Sequence, residues 1–158
     1  VKIPAGVQDG MQLRVQGKGN HGPAGGPAGD LIVSIEEEPH EVLVREGNNL
    51  HFELHVSFPD AALGTSVEVP TVSGKVRMKI DPGTQSGKTL RLKGKGLPSL
   101  EGYGQGDQLI HVAVWTPKSL TNDEKELLEK LNQSERFQPR PGAGDKSFFD
   151  KVKDLFQG

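Results

Sequence analysis

Along most of this chain, apolar and polar residues alternate in short runs. Met11-Gln12-Leu13-Arg14-Val15, Leu50 to Val56, Ser66 to Pro70, Lys75 to Ile80 and Thr89 to Lys93 all have a period of two. That period predicts strands with one face in a core and one in water. In Leu50 to Val56, for example, Leu50, Phe52, Leu54 and Val56 face in, and His51, Glu53 and His55 face out. Leu31 to Ile35 and Leu109 to Trp115 are mostly apolar runs of strand length, each closing one copy of a repeated pattern. Phe58 to Gly64 reads as one or two helical turns stopped by Gly64. After Thr116-Pro117 the period changes. Thr121 with Glu124 forms a capping box, and Leu127, Leu128 and Leu131 make a stripe at helical spacing. A Pro- and Gly-rich linker at 138–144 leads to a last helix over 146–156, with Phe148, Phe149, Val152, Leu155 and Phe156 on one side.

The pattern also repeats. Lys2 to Gly19 returns as Lys79 to Gly96 at an offset of 77 residues, with ten of eighteen aligned positions identical and no gap. Gly29-Asp30 and Gly106-Asp107 keep the same offset. A preserved register over that distance predicts a duplicated structural unit. Each copy has a strand end, a turn at Asp9-Gly10 or Ser86-Gly87 of the kind that favours a tight hairpin, an alternating strand, a Gly-rich loop and a closing strand. The expected unit is a small antiparallel β domain. Leu50 to Arg77 precedes the second copy with several strands, and nothing comparable precedes Lys2, so the first copy is expected to be short at its front. A chain that opens on Val, mid-strand, is expected to be part of something longer. The domain boundary is placed at Glu46-Gly47-Asn48-Asn49, a turn signal.

Composition narrows the function. Leu, Ile, Val and Phe make up 41 of 158 residues, enough for modest cores. A net charge of −2 disfavours nucleic acid as the main partner. There is no cysteine, hence no disulfide and no Cys-based zinc site, which fits a reducing compartment. No apolar run approaches membrane-spanning length.

Few residues offer chemistry. Gly83 to Thr89 ends in Gly-Lys-Thr, but Pro82 stands where a phosphate loop needs its first glycine, and alternation follows instead of a helix. A turn is the expected reading. His51 and His55 share a strand face without evident further metal ligands, so they are expected to face solvent. Lys75, Arg77 and Lys79 alternate on one face; that face suits an acidic peptide or is an ordinary polar surface. Val42-Leu43-Val44 either lines a groove for an extended apolar peptide or packs the domain junction.

Taken together, Val1 to Val7, Pro27-Ala28-Gly29-Asp30-Leu31, Arg45 to Leu50, Ala61-Ala62-Leu63-Gly64, Val69-Pro70-Thr71, Arg91 to Gly96, Gly106-Asp107 and Ser147-Phe148-Phe149-Asp150 resemble the C-terminal part of the DnaJ co-chaperone family, zinc-containing bacterial type. The resemblance covers essentially the whole chain. It implies a mainly β fold: two tandem barrel-like antiparallel β-sandwich domains, the first truncated (1–46 and 47–118), then a helical dimerisation segment (119–158). It implies a cytoplasmic, non-enzymatic protein that binds unfolded polypeptides, forms a homodimer and delivers clients to a DnaK-type chaperone, with no nucleic-acid or membrane partner. The J domain and the zinc module would lie upstream, so no cofactor is expected here. Client binding falls on Val42, Leu43 and Val44, and dimerisation on Leu127, Leu128, Leu131, Phe148 and Phe149. Family members carry an aromatic residue at the position of Leu43, so a less aromatic groove is expected.

Overall fold

The computed structural model describes residues 1–142, 145 and 148–157. It divides into two units, Val1–Thr116 and Pro117–Gly158. In the first, β1 (Gln12–Val15) pairs antiparallel with β2 (Leu31–Ser34), and β7 (Thr89–Leu92) pairs antiparallel with β8 (Gln108–Trp115). The two hairpins correspond residue by residue at the offset of 77. Leu13 faces Val33 as Leu90 faces Ile110. Gly10 N–H donates to Ile35 O at 2.9 Å as Gly87 N–H donates to Val112 O at 2.7 Å. The bridge His21 to Ala28 recurs as Pro98 to Gln105. The duplication read from the sequence is therefore a duplication of hydrogen bonds.

One carboxylate staples each copy. Asp30 Oδ1 accepts from Gly17 N–H at 3.0 Å and Asp107 Oδ1 accepts from Gly94 N–H at 2.8 Å; the other oxygen of each meets Arg14 or Arg91. The Gly94 amide, and after it the Arg91 guanidinium, holds the Asp107 carboxyl below its ordinary range. A lowered folded-state pKa stabilises the fold above the unfolded value and loses that contribution as pH falls through the folded one. The urea midpoint should therefore drop as pH is taken from about 5 to about 3, across the ordinary carboxylate range. Asp107→Asn should flatten that drop, measured by denaturation at several pH values.

The second copy sits in a larger sheet. β3 (Val44–Glu46), β4 (Asn49–Ser57), β8 and β7 lie in the order β3-β4-β8-β7. β5 (Thr65–Thr71) and β6 (Gly74–Ile80) form a separate hairpin. Between β4 and β5 comes α1 (Phe58–Leu63), capped by the Ser57 side chain and ended at Gly64, where φ is 84°. Gly83 and Thr84 amides satisfy the Ala61 carbonyl at its far end. The core is Leu54, Val56, Ala61, Val69, Ile80, Ile110 and Val112, drawn from β4, α1, β5, β6 and β8. Buried Gln108 donates from Nε2 to Pro70 O at 2.7 Å and ties the large sheet to the hairpin.

The chain is mainly β with C-terminal helices, as the pattern predicts. Three details differ. β4 and β8 run parallel, with Leu54 level with Val112; the antiparallel expectation fails there because the chain leaves β4 through α1, β5, β6 and β7 before returning, a connection long enough for a parallel crossover. Residues 1–3, expected to end a strand, lie outside any ladder; the matching residues of the second copy belong to β6 and pair with β5. The turns at Asp9-Gly10 and Ser86-Gly87 do place glycine at positive φ, 77° and 86°, yet β6 and β7 lie in different sheets, so the second turn carries the chain between layers and closes no hairpin. The turn at Gly47-Asn48, where the domain boundary is expected, joins β3 and β4 as neighbours in one sheet.

In the second unit, α2 (Asn122–Asn132) has its capping box in place, Thr121 Oγ1 accepting from Glu124 N–H and Glu124 Oε1 from Thr121 N–H. The Thr121 amide holds the Glu124 carboxyl below its ordinary range. α3 covers Phe148–Phe156; Lys146 and Ser147, the expected start of this helix, and linker residues 143–144 lie outside the described residues.

Candidate functional site

The stretch from Glu36 to Arg45 is shaped by two side chains. His40 Nδ1 accepts from the amides of Val42 (3.2 Å) and Leu43 (3.1 Å), which turns the chain after Pro39. Arg45, on β3, fixes the other end. It donates to Val7 O at 2.7 Å, Gly6 O at 3.2 Å, Gly47 O at 2.9 Å and Glu37 Oε2 at 2.6 Å. One guanidinium thus joins the first repeat, through residues 6, 7 and 37, to the sheet of the second; its planar fork of donors suits three carbonyls and a carboxylate at once.

Between these anchors Leu43 turns inward, 6% exposed, while Val42 and Val44 stay open at 48% and 65%. Leu43 and Val44 line a cavity of about 550 Å³ with Pro39, Leu50, Val72 and Leu97; Asp9, Glu37 and Glu38 stand at the same site. Val42 lies beside it without lining it. Asn48 O accepts from Leu97 N–H at 2.8 Å, so the β3–β4 turn sets the Leu97 wall. That turn lies so close to the Gly-rich loop that a side chain on Gly106 would strike the Asn48 carbonyl. A second cavity, about 380 Å³, runs beside β2 between Ile3, Val7, Val33 and Ile35. The size and apolar lining of the first suit a few side chains of a peptide.

Of the residues that line this cavity, the sequence singled out Leu43 and Val44 and did not single out His40, Arg45, Leu50, Val72 or Leu97. Val72 and Leu97 come from a hairpin turn and a distant loop, and no local period marks them. On α2, Leu127, Leu128 and Leu131 are all exposed, at 61%, 37% and 42%, and Phe149 of α3 is exposed too. The side chain of Phe148 lies outside the described residues.

The other candidates resolve differently. His55 is exposed, beside Glu53 at 3.1 Å. His51, expected in solvent, is largely covered. Its Nδ1 lies 2.8 Å from His111 Nε2, with ring centroids 5.1 Å apart and planes 14° apart. The two ring nitrogens lie within hydrogen-bond distance, with donor and acceptor set by the tautomers of the two rings. His111 Nδ1 continues to Thr89 Oγ1 at 3.2 Å. Among the described residues no group of three or more His, Asp or Glu side chains is placed to hold a metal ion. Lys88 and Thr89 of the Gly-Lys-Thr segment lead into strand β7, and the Gly87 amide and Lys88 carbonyl bond to Val112. A phosphate loop would open a helix there.

A folded repeat of two β hairpins, with a cavity at its β3 junction, can be compared with known families. The family described as DnaJ C terminal domain matches residues 1–117. The chain belongs to the DnaJ C-terminal domain family. Among its relatives are the chaperone proteins DnaJ of Salinibacter ruber (53% identical over 158 residues), Bacteroides fragilis (53% over 156) and Halalkalibacterium halodurans (48% over 158). Each is matched by at least 99% of this chain, which spans 41%, 39% and 42% of their respective lengths. All three relatives carry the name chaperone protein DnaJ.

Proposed function

We propose that this region binds unfolded polypeptide at the Leu43 cavity, pairs with a second copy through α2, and passes clients to a DnaK-type chaperone. The observation that carries the reading is the cavity itself: Leu43, Val44, Leu50, Val72 and Leu97 line it together with His40 and Arg45, and the carboxylates of Asp9, Glu37 and Glu38 stand around it. Glu37 is already paired with Arg45, and the carboxylates of Asp9 and Glu38 favour a client with an apolar segment and basic flanks. Binding of this kind needs no cofactor and no catalysis, and suits the cytoplasm. On this reading 1–46 is the back part of the first β domain and carries the client site, 47–118 is the second β domain, and 119–158 is the dimerisation segment.

The test is a fluorescence-anisotropy titration of a labelled peptide with a Leu-Ile-Leu centre and flanking lysines. Val44→Asp adds a carboxylate at an exposed cavity position and should leave folding intact. It should weaken binding at least about tenfold, the effect of about 1.4 kcal/mol. Equal affinity in both proteins would overturn the assignment and leave a spacer between dimer arms as the better reading.

A further inference from the structure

We propose that the free edge of β6 is a second docking site, specific for an extended segment in which acidic and apolar residues alternate. Three facts converge there. The β5–β6 register runs without a bulge from Thr65↔Ile80 to Thr71↔Gly74, closed by the two-residue turn Val72-Ser73. The pair flanking a two-residue turn is hydrogen-bonded, and bonded pairs then alternate. Val69↔Val76, Val67↔Met78 and Thr65↔Ile80 are thus the other bonded pairs, and the amides and carbonyls of Lys75, Arg77 and Lys79 point away from β5. The position of Pro70 checks this: paired with Lys75, it has no amide to give, and its carbonyl turns away from β6 to accept from Gln108.

β6 has no strand on its other side among the described residues. The three residues whose backbone groups face the open edge are also the three exposed cations of the strand. Glu68, opposite Arg77, is the one carboxylate that β5 and β6 place on that face. The other face of β6 carries Val76, Met78 and Ile80 against the core. An added strand would therefore meet cations with one set of side chains and the margin of an apolar layer with the other. The spacing of alternate residues, about 6.6 Å, is the same in both strands, so Glu at every second position reaches Lys75, Arg77 and Lys79 in turn. The β5 edge offers no equivalent, being closed at Pro70. Cations on an edge also deter pairing with another copy of themselves; the same charges admit an acidic strand and reject a basic one.

The site is distinct from the Leu43 cavity, and its test separates the two. The probe is a labelled peptide with the core Glu-Val-Glu-Ile-Glu-Val-Glu, compared with a block peptide of equal composition, Glu-Glu-Glu-Glu-Val-Val-Ile. The alternating peptide should bind the intact chain at least tenfold more tightly than the block peptide. It should lose at least tenfold in K75E/R77E/K79E, whose changes lie at exposed positions and are checked by circular dichroism. Val44→Asp should leave it unchanged. Hydrogen exchange should slow at the amides of 75, 77 and 79 on binding. Equal affinity for the two peptides, or binding that leaves those amides unprotected, would overturn strand addition. Absence of binding to the intact chain would show that the charges serve only to protect the edge.

Discussion

Ile110→Ala should destabilise the first unit by about 3 to 4 kcal/mol, within the range of large-to-small changes at fully buried positions. Ile110 is 0% exposed on the central strand β8, level with Phe52 on one side and Leu90 on the other. Removing three of its carbons leaves a void between two sheets that cannot both close on it. The informative control is Val33→Ala. Val33 occupies the same place in the first repeat, pairing with Leu13 as Ile110 pairs with Leu90. Yet it is only partly buried and borders the smaller cavity. Its loss should cost under about 1 kcal/mol, as at positions outside the core. Urea unfolding followed by far-ultraviolet circular dichroism and by the fluorescence of Trp115, on β8 itself, measures both. With a urea dependence of about 2 kcal/mol per molar, Ile110→Ala should shift the midpoint by about 1.5 to 2 M. Equal losses at the two positions would mean that the repeats have equivalent cores, against the burial described above.

Replacing Leu127, Leu128 and Leu131 together by serine should dissociate the proposed dimer. The three leucines form a stripe on a helix whose remaining surface is charged, and none is buried within the protomer. Burying a leucine contributes about 1.5 kcal/mol or more, so losing three removes at least about 4.5 kcal/mol, or roughly a thousandfold in affinity. The helix itself should survive, because Thr121 and Glu124 hold its first turn and are untouched. Sedimentation velocity over a concentration series should find dimer for the parent chain and monomer for the variant, with unchanged helicity. Peptide affinity measured on immobilised client should fall with it, since two linked sites gain from effective concentration. An unchanged sedimentation profile would remove α2 from the interface.

Most of the elements were legible before any coordinates. The period-two runs gave β1 and β4 to β7 within a residue or two, mostly apolar runs gave β2 and β8, Gly64 stopped α1, and Thr121 with Glu124 capped α2. The repeat was visible because identical turn and loop residues, Gly17 and Gly94 or Asp30 and Asp107, make identical local bonds. β3 read only as a short apolar bridge, since three residues hold too little pattern. The site was half legible: Val42 to Val44 stood out as an apolar run, and Arg45 showed nothing of its reach to Val7, 38 residues earlier. His51 and His111 carried no mutual signal either, being 60 residues apart.

Rules that act within a few residues, namely side-chain alternation, helix caps and glycine at positive φ, were enough to place the strands, turns, helices and the doubled unit. Alternation says which face of a strand is apolar but not which strand lies beside it. That choice rests on packing between segments far apart in the chain. Only the assembled fold could therefore set β8 parallel to β4, bury Ile110 while leaving Val33 half open, and bring Pro39, Leu43, Val72 and Leu97 around one cavity.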